Sequence, residues 1–274
     1  MTAVVEVEPD VASAVPASGP RFGRLLAAER IKLLSTRSVW WCAAVAVVLH
    51  AGLAAVVAAS YVPEWGSAWP ALSRIGLVAA IPLLVAAALA ATGEHRSGTM
   101  RTTFLAAPDR VRPLVAKAVA VGVVAGVAGL VGAFAAWGAA CLLAPTADLA
   151  LVGAGPWRTV AGIGLVDAVL AVLAVAVGVL LRHGAGAIAA LLGWMLVAES
   201  VLQSLPGVGQ YIAPWLPISD LGRFLEVGIV EPDPSRSPFT ERLMLEPWLG
   251  LGYAAGVAVA VLVAAIALAR RRDA

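Results

Sequence analysis

Residues 118–143 read AVAVGVVAGVAGLVGAFAAWGAACLL, an apolar run of 26 residues without a charged side chain. An α-helix rises 1.5 Å per residue, so about 20 such residues cross a hydrocarbon core of about 30 Å. Over the whole chain of 274 residues, 61% are hydrophobic and only 13% are charged. A water-soluble domain carries roughly 25% charged residues. The lipid bilayer is therefore the solvent for most of this chain.

Further apolar runs lie on both sides of this one, so the sequence predicts an all-α integral membrane protein with six transmembrane helices. The predicted spans, which together form a transmembrane domain over residues 39–269, are residues 39–60, 75–92, 118–143, 159–181, 185–203 and 247–269. Pro82 in the second span lacks the N–H of a regular helical hydrogen bond and predicts a kink. Only residues 182–184 separate spans four and five, and so short a turn predicts an antiparallel helical hairpin.

Basic residues are distributed unequally between the two sides of these spans. Fourteen of the 19 Lys and Arg residues precede span one, separate spans two and three or four and five, or follow the last span. Cytoplasmic loops retain positive charge, so both termini of this multi-pass protein are expected in the cytoplasm, with the spans in the cytoplasmic (inner) cell membrane. Residues 1–20 are predicted to be a disordered tail, and residues 270–274 a basic one. A net charge of +2 argues against a nucleic-acid partner.

Residues 21–38 are predicted to form an interfacial amphipathic helix that leads into span one. Leu26 and Leu33 lie on its apolar stripe, whereas Arg30 and Lys32 lie off it. Glu29 falls in the middle of the stripe. Either it has a cationic partner in a neighbouring element, or it is a solvated charge on a frayed helix.

The loop over residues 93–117 mixes charges with Gly98, Pro108 and Pro113 around an apolar element at residues 104–107. This loop is too long for a turn and too short for a domain. It suits one short helix that docks on a soluble partner, and the alternative is a positively charged anchor without a partner.

Two blocks within the first 120 residues resemble a known family. Residues 29–41 read ERIKLLSTRSVWW, and residues 93–103 read GEHRSGTMRTT, followed by Ala107, Pro108 and Lys117. The first block resembles the entry helix of actinobacterial permeases of the type-2 ABC exporter family. The second block resembles the loop between the second and third spans of that family. Beyond these blocks, the similarity is limited to the order of the apolar segments along the chain, including a long external segment before the last span.

The resemblance implies a permease subunit that pairs with a separate cytoplasmic ABC ATPase subunit and with a second permease subunit, as a homodimer or a heterodimer. ATP and magnesium would bind the ATPase. The chain contains no G-x-x-x-x-G-K-[ST] loop for nucleotide phosphates. No cofactor and no enzymatic activity are therefore expected in this chain.

The resemblance also assigns roles to particular residues. It implies that the loop over residues 93–117 receives the motion of the ATPase, and that residues 21–38 form the entry helix. The residues of the ATPase-coupling loop are Glu94, Arg96, Gly98, Arg101, Pro108 and Arg110, and those of the entry helix are Glu29, Lys32 and Arg37.

Three polar side chains inside the spans are functional candidates, since inserting a charged residue at the bilayer centre costs about 2.5–3.5 kcal/mol. His50 and Asp167 both fall near mid-depth. Either they pair across spans one and four and line a polar path, or each is satisfied separately by packing. Glu199 lies near the outer end of span five and is expected to reach water.

Residues 204–246 are predicted to form an external loop with a short helix that lies on the membrane around residues 219–225. This helix either gates the outer mouth or caps the bundle. The transported substrate is not encoded in a recognisable motif, although spans rich in Ala, Val, Leu and Gly suit lipophilic cargo. The alternatives to an exporter permease are an ion-coupled carrier and a non-transport regulatory membrane protein. Catalytic or metal residues are not predicted, because His50, His95 and His183 are scattered without a metal-binding spacing such as H-E-x-x-H.

Overall fold

The computed structural model describes residues 21–62, 68–97, 111–227 and 246–272, and over these residues it is a bundle of helices. The α-helices are α1 Phe22–Ser35, α2 Arg37–Ala59, α3 Trp69–Ala79, α4 Ile81–Ser97, α5 Val111–Leu143, α6 Ala154–Leu181, α7 Gly184–Gly193, α8 Glu199–Gln203, α9 Gly209–Ile212, α10 Pro217–Leu225 and α11 Pro247–Arg272. A π-helical segment, Trp194–Ala198, joins α7 to α8, and a 3-10 turn, Ala213–Trp215, follows α9.

Six segments of the described chain are long and apolar enough to cross a membrane. They are Arg37–Ala59, Leu72–Glu94, Val111–Leu143, Ala154–Leu181, Gly184–Gln203 and Pro247–Arg271. The predicted all-α membrane fold with six spans is confirmed, and each predicted span overlaps one of these segments. The chain is a multi-pass membrane protein.

The entry segment is a separate helix rather than an extension of the first span. Thr36 adopts an extended conformation between α1 and α2, with φ −90° and ψ 113°. The indole Nε1 of Trp40 donates a hydrogen bond of 2.8 Å to Leu34 O across this corner. Buried Leu33 and Glu29 mark the face of α1 that packs against α5. The break at Thr36 therefore lets α1 turn away from the first span.

The second span is interrupted next to Pro82, as its sequence predicts. Helix α3 ends at Ala79 and α4 begins at Ile81, so Pro82 lies in the first turn of α4. A residue in the first turn of a helix has no intrahelical acceptor for its N–H, which is why proline is tolerated there. Ala80 N still donates to Gly76 O at 3.1 Å, which keeps the two halves joined.

Helices α5 and α6 approach each other closely at two glycines. A Cβ atom at Gly126 would lie 3.0 Å from Gly164 O, and a Cβ atom at Gly164 would lie 2.8 Å from Gly126 O. Only residues without side chains allow backbones this near, and such contacts are a main source of helix packing in membranes. The two glycines therefore fix the centre of the bundle.

The connection between α6 and α7 is the tight hairpin that its length predicts. Arg182 adopts a left-handed conformation with φ 55°, which ends α6. The Nδ1 atom of His183 accepts a hydrogen bond of 3.0 Å from Gly186 N and caps α7. This turn lies at the end of the bundle that carries α1, called here the α1 end, because Gly184 approaches Thr92 near the end of α4.

The opposite end of the bundle, called here the α10 end, is closed by α10. The sequence predicts a short external helix in this stretch, and the structure forms one at Pro217–Leu225. It packs between α6 and α11, with Phe224 and Leu225 fully buried. Thr159 Oγ1 donates to Leu225 O, and the Arg158 guanidinium donates to Glu226 O. These bonds anchor the last turn of α10 to the start of α6, so α10 is a cap of the bundle.

Candidate functional site

Four charged side chains meet at the α1 end and form what we call the four-charge cluster: Glu29, Lys32, Glu94 and Lys117. Lys117 Nζ lies 2.6 Å from Glu29 Oε2 and 3.0 Å from Glu94 Oε1. Lys32 Nζ lies 2.9 Å from Glu29 Oε1 and 3.0 Å from the same Glu94 oxygen. Two ammonium groups and two carboxylates alternate, so the cluster is electrically neutral.

Three helices bring these groups together. Glu29 and Leu33 stand one turn apart on the face of α1 that packs against α5. Lys117 lies in the second turn of α5, and Glu94 lies in the last turn of α4. Helices α4 and α5 flank residues 98–110 on either side. The four-charge cluster therefore ties the N-terminal helix to both helices from which that segment departs.

Burial makes the cluster sensitive to the loss of its buried members. The Glu29 and Lys117 side chains are each only 5% exposed, whereas that of Lys32 is 46% exposed. Burial lowers the pKa of the Lys32 ammonium, but hydrogen bonds and Coulomb attraction from Glu29 and Glu94 outweigh that effect and raise the pKa above its ordinary value. Removing one partner of a buried ion pair leaves an uncompensated charge, which is strongly destabilising.

The cluster shows which residue pairs with Glu29, and it changes the expected position of Lys117. Of the two alternatives for Glu29, the structure shows the cationic partner, and this partner is Lys117, which lies 88 residues away. Sequence reasoning placed Lys117 at the end of a loop and did not identify it as a partner. The signal available was a single basic residue directly before a long apolar run. The structure places it inside α5, 4% exposed.

The predicted coupling loop is shorter than residues 93–117, because α4 continues to Ser97 and α5 begins at Val111. Arg96 belongs to the last turn of α4, and Arg37 is the exposed first residue of α2. Four of the predicted coupling residues, Gly98, Arg101, Pro108 and Arg110, lie outside the described residues.

Glu199 organises a second polar site, at the α10 end. It is 3% exposed, so the expectation that it reaches water is wrong. Its carboxylate accepts hydrogen bonds from Ile218 N at 2.9 Å and from Ser219 N and Ser219 Oγ, both at 2.8 Å. The indole Nε1 of Trp194 also donates to it, at 2.9 Å. Glu199 therefore caps the N-terminus of α10, where backbone N–H groups have no helical partner.

The π-helical segment that precedes Glu199 explains how span five reaches α10. Such segments insert an extra residue into a helical turn and recur at functional sites. Trp194 begins the segment and Glu199 follows it directly, so the indole and the carboxylate that it binds are five residues apart. Sequence reasoning had no means to find this cap, because Ile218 and Ser219 belong to a distant segment.

His50 and Asp167 are both buried in the centre of the bundle, at 0% and 1% exposure. A hydrogen bond between them is not formed, so the predicted direct pairing is absent. The alternative, that each side chain finds its own hydrogen-bond partners elsewhere, does not hold for all of their polar atoms either. His50 Nε2 and both carboxyl oxygens of Asp167 have no hydrogen-bond partner among the described residues. This is unusual, since buried polar groups are nearly always paired.

These features define a multi-pass membrane protein with six candidate spans, a buried ionic cluster at one end and a carboxylate-capped helix at the other. No model of a known protein family matches the chain, and no curated protein matches it either.

Proposed function

We propose that this chain is the membrane-spanning permease subunit of an ATP-binding-cassette exporter of the cytoplasmic membrane. A separate cytoplasmic ATPase would hydrolyse ATP, and a second permease subunit, identical or related, would complete the pathway. The observation that carries this proposal is the four-charge cluster, because it joins α1 to the two helices that flank residues 98–110.

The distribution of charge supports the orientation that this function requires. Basic residues of the described chain concentrate at the α1 end, and cytoplasmic surfaces of membrane proteins retain Lys and Arg. The α1 end would therefore face the cytoplasm, where an ATPase could reach it. The basic residues at this end are Arg21, Arg24, Arg30, Lys32, Arg37, Arg96, Arg112, Lys117, Arg182, Arg270, Arg271 and Arg272.

The cluster supplies a mechanical connection for coupling. A partner that displaces residues 98–110 would pull on the end of α4 and on the start of α5. Lys117 binds Glu29 and Glu94 at once, so these two helices and α1 would move as one unit. Helix α5 has 33 residues and runs to the α10 end. A motion received on the cytoplasmic side would thereby reach the opposite side.

The proposal is tested by charge reversal in residues 98–110. In proteoliposomes that contain the chain and its ATPase, Arg101→Glu and Arg110→Glu should each lower the stimulation of ATP hydrolysis by the permease at least several-fold. Arg74→Glu is the matched control, because Arg74 is exposed at the α10 end and its reversal should leave ATPase stimulation unchanged. Undiminished stimulation in both loop variants would refute the coupling role.

An ion-coupled carrier is a second candidate, and one observation favours it. His50 and Asp167 are ionisable groups at mid-depth, and such groups mark ion and proton pathways in carriers. A carrier would transport its substrate in proteoliposomes that contain this chain alone, driven by an ion gradient. The exporter requires ATP and the ATPase subunit.

A further inference from the structure

Two ionisable side chains in the membrane interior take no part in the proposed coupling. His50 lies on α2 and Asp167 lies on α6, each close to the middle of its helix. Both helices pack against α5, which stands between them. The two side chains therefore approach α5 from different helices at a similar depth in the bundle.

Two glycines of α5 make room for these side chains. A Cβ atom at Gly129 would lie 2.7 Å from Asp167 Cγ, and a Cβ atom at Gly132 would lie 2.9 Å from His50 Nδ1, both too close for a real side chain. Residues three apart on a helix share a face, with Cβ atoms about 5–6 Å apart. The carboxyl and the imidazole thus occupy neighbouring notches on one face of α5.

The hydrogen bonds of His50 determine what its free nitrogen can do. Nδ1 lies 2.9 Å from Ala46 O, and because a carbonyl only accepts, Nδ1 carries a proton. In the neutral imidazole, Nε2 is then an acceptor, and it has no partner among the described residues. A protonated Asp167 would offer an O–H donor from the neighbouring notch of α5. The two unpartnered groups are chemically complementary.

No described charge stands near enough to neutralise an ionised Asp167. On the helices that carry the pair and its notches, the nearest titratable side chain in sequence is Cys42, eight residues from His50 and about 12 Å along the helix axis. The others on these helices are Arg37 on α2, Arg112, Lys117 and Cys141 on α5, and Arg158 on α6. The surrounding helices carry their titratable residues near one or the other end of the bundle: Arg24, Glu29, Arg30, Lys32, Arg74, Glu94, His95, Arg96, Glu199, Tyr211, Asp220, Arg223, Tyr253, Arg270, Arg271 and Arg272.

We propose that His50 and Asp167 form a membrane-embedded site that binds one proton. An isolated carboxylate in a low-dielectric interior is so costly that the group takes up a proton instead. In the resting form Asp167 carries this proton and donates it towards Nε2 through one water molecule. Transfer to Nε2 gives an imidazolium and a carboxylate. The total charge of the pair stays the same in both forms, and the site is independent of any ATPase.

Infrared spectroscopy of the purified chain in lipid nanodiscs tests this site. The difference between wild type and Asp167→Asn near neutral pH should contain the C=O stretch of a protonated carboxyl that is sensitive to D2O. This band should shift in His50→Gln, because the acceptor of the proton is lost. Asp148→Asn is the matched control, since Asp148 is exposed and its difference spectrum should show carboxylate bands only.

A second measurement keeps the test decisive if a variant fails to fold. In wild-type protein labelled with 13C-aspartate and 15N-histidine, one protonated Asp or one imidazolium signal should persist from mildly acidic to mildly basic pH. Either form supports the site, because the proton is then held by the pair. An ionised Asp167 beside a neutral His50 would overturn the proposal, and so would a carboxyl band that is identical in His50→Gln.

Discussion

Lys117 Nζ lies 2.6 Å from Glu29 Oε2, and this contact joins the N-terminal helix α1 to the start of α5 across 88 residues of sequence. Both side chains are nearly buried, and Lys117 also binds Glu94. A lysine at the start of a membrane-spanning helix would ordinarily extend towards water. Here it is held inside the protein, so its environment is built by α1 and α4 rather than by solvent.

Replacement of Lys117 by methionine should destabilise the fold strongly. The change leaves the Glu29 and Glu94 carboxylates buried without their main partner, and breaking a buried pair in this way costs about 3–5 kcal/mol. Lys32→Met is the control. Lys32 is about half exposed, so its loss should cost no more than about 1 kcal/mol. Thermal unfolding in detergent, followed by tryptophan fluorescence, measures both variants. Equal losses of stability in the two variants would show that burial does not determine the cost of removing a member of the cluster.

Replacement of Glu199 by glutamine should loosen α10. The amide keeps one oxygen but cannot accept all four hydrogen bonds from Trp194, Ile218 and Ser219. Hydrogen bonds to charged groups contribute about 1.5–3 kcal/mol each. Hydrogen–deuterium exchange should therefore accelerate at the Ile218 and Ser219 amides.

The control for this prediction is Glu226→Gln, because the Glu226 side chain makes no hydrogen bond to the described residues. Exchange at the first turn of α10 should not change in that variant. Protection that survives in Glu199→Gln would mean that packing of Phe224, and not the carboxylate cap, holds α10 in place.

Because Gly126 and Gly164 are in close contact, the stability of the fold should depend strongly on side-chain size at these positions. Gly164→Ala should cost about 1–3 kcal/mol, because its methyl group would meet the backbone of α5 and force the helices apart. Gly256→Ala is the control, since nothing lies within 4 Å of its Cβ position and alanine favours a helix over glycine by about 1 kcal/mol. The two melting temperatures should shift in opposite directions. A neutral Gly164→Ala would contradict the close packing.

Asp220 gives the α10 end a dependence on pH. Burial raises the pKa of its carboxyl above the ordinary value, Arg223 acts in the opposite direction, and the nearby Glu199 adds to the rise. The folded state therefore binds this proton more tightly than the unfolded state. Stability contributed by Asp220 is present at low pH and is lost as the pH rises through the raised pKa.

Asp220→Asn should weaken the dependence of stability on pH in the range where the Asp220 carboxyl loses its proton. Melting temperatures measured across the acidic range should decline less with rising pH in the variant than in wild type. Asp148→Asn, at an exposed carboxyl, should follow the wild-type profile. A variant profile parallel to that of wild type would show that Asp220 does not carry the dependence.

The sequence predicted the features that depend on local composition. Apolar runs located all six spans, Pro82 located the interruption of the second span, and the short separation of spans four and five by residues 182–184 located the hairpin. The stripe on α1 also gave a cationic partner for Glu29 as one of two alternatives. Each of these signals lies within a few residues of the structure that it predicts.

Contacts between distant segments were beyond prediction from one sequence. Nothing near Lys117 indicates that α1 packs on α5, and nothing near Glu199 indicates that α10 returns to meet it. Nothing in the sequence likewise shows that Gly129 and Gly132 make room for Asp167 and His50. A polar side chain in an apolar run indicates that a partner exists, but which residue is that partner depends on the packing of distant segments.

The most direct test of the exporter function is affinity purification of the tagged chain from its native membrane in mild detergent. An ATP-binding-cassette ATPase should copurify in a stoichiometric amount with wild type and with Arg74→Glu, and its yield should fall in Arg101→Glu. If no such ATPase copurifies with wild type under conditions that preserve other membrane complexes, the exporter function is contradicted.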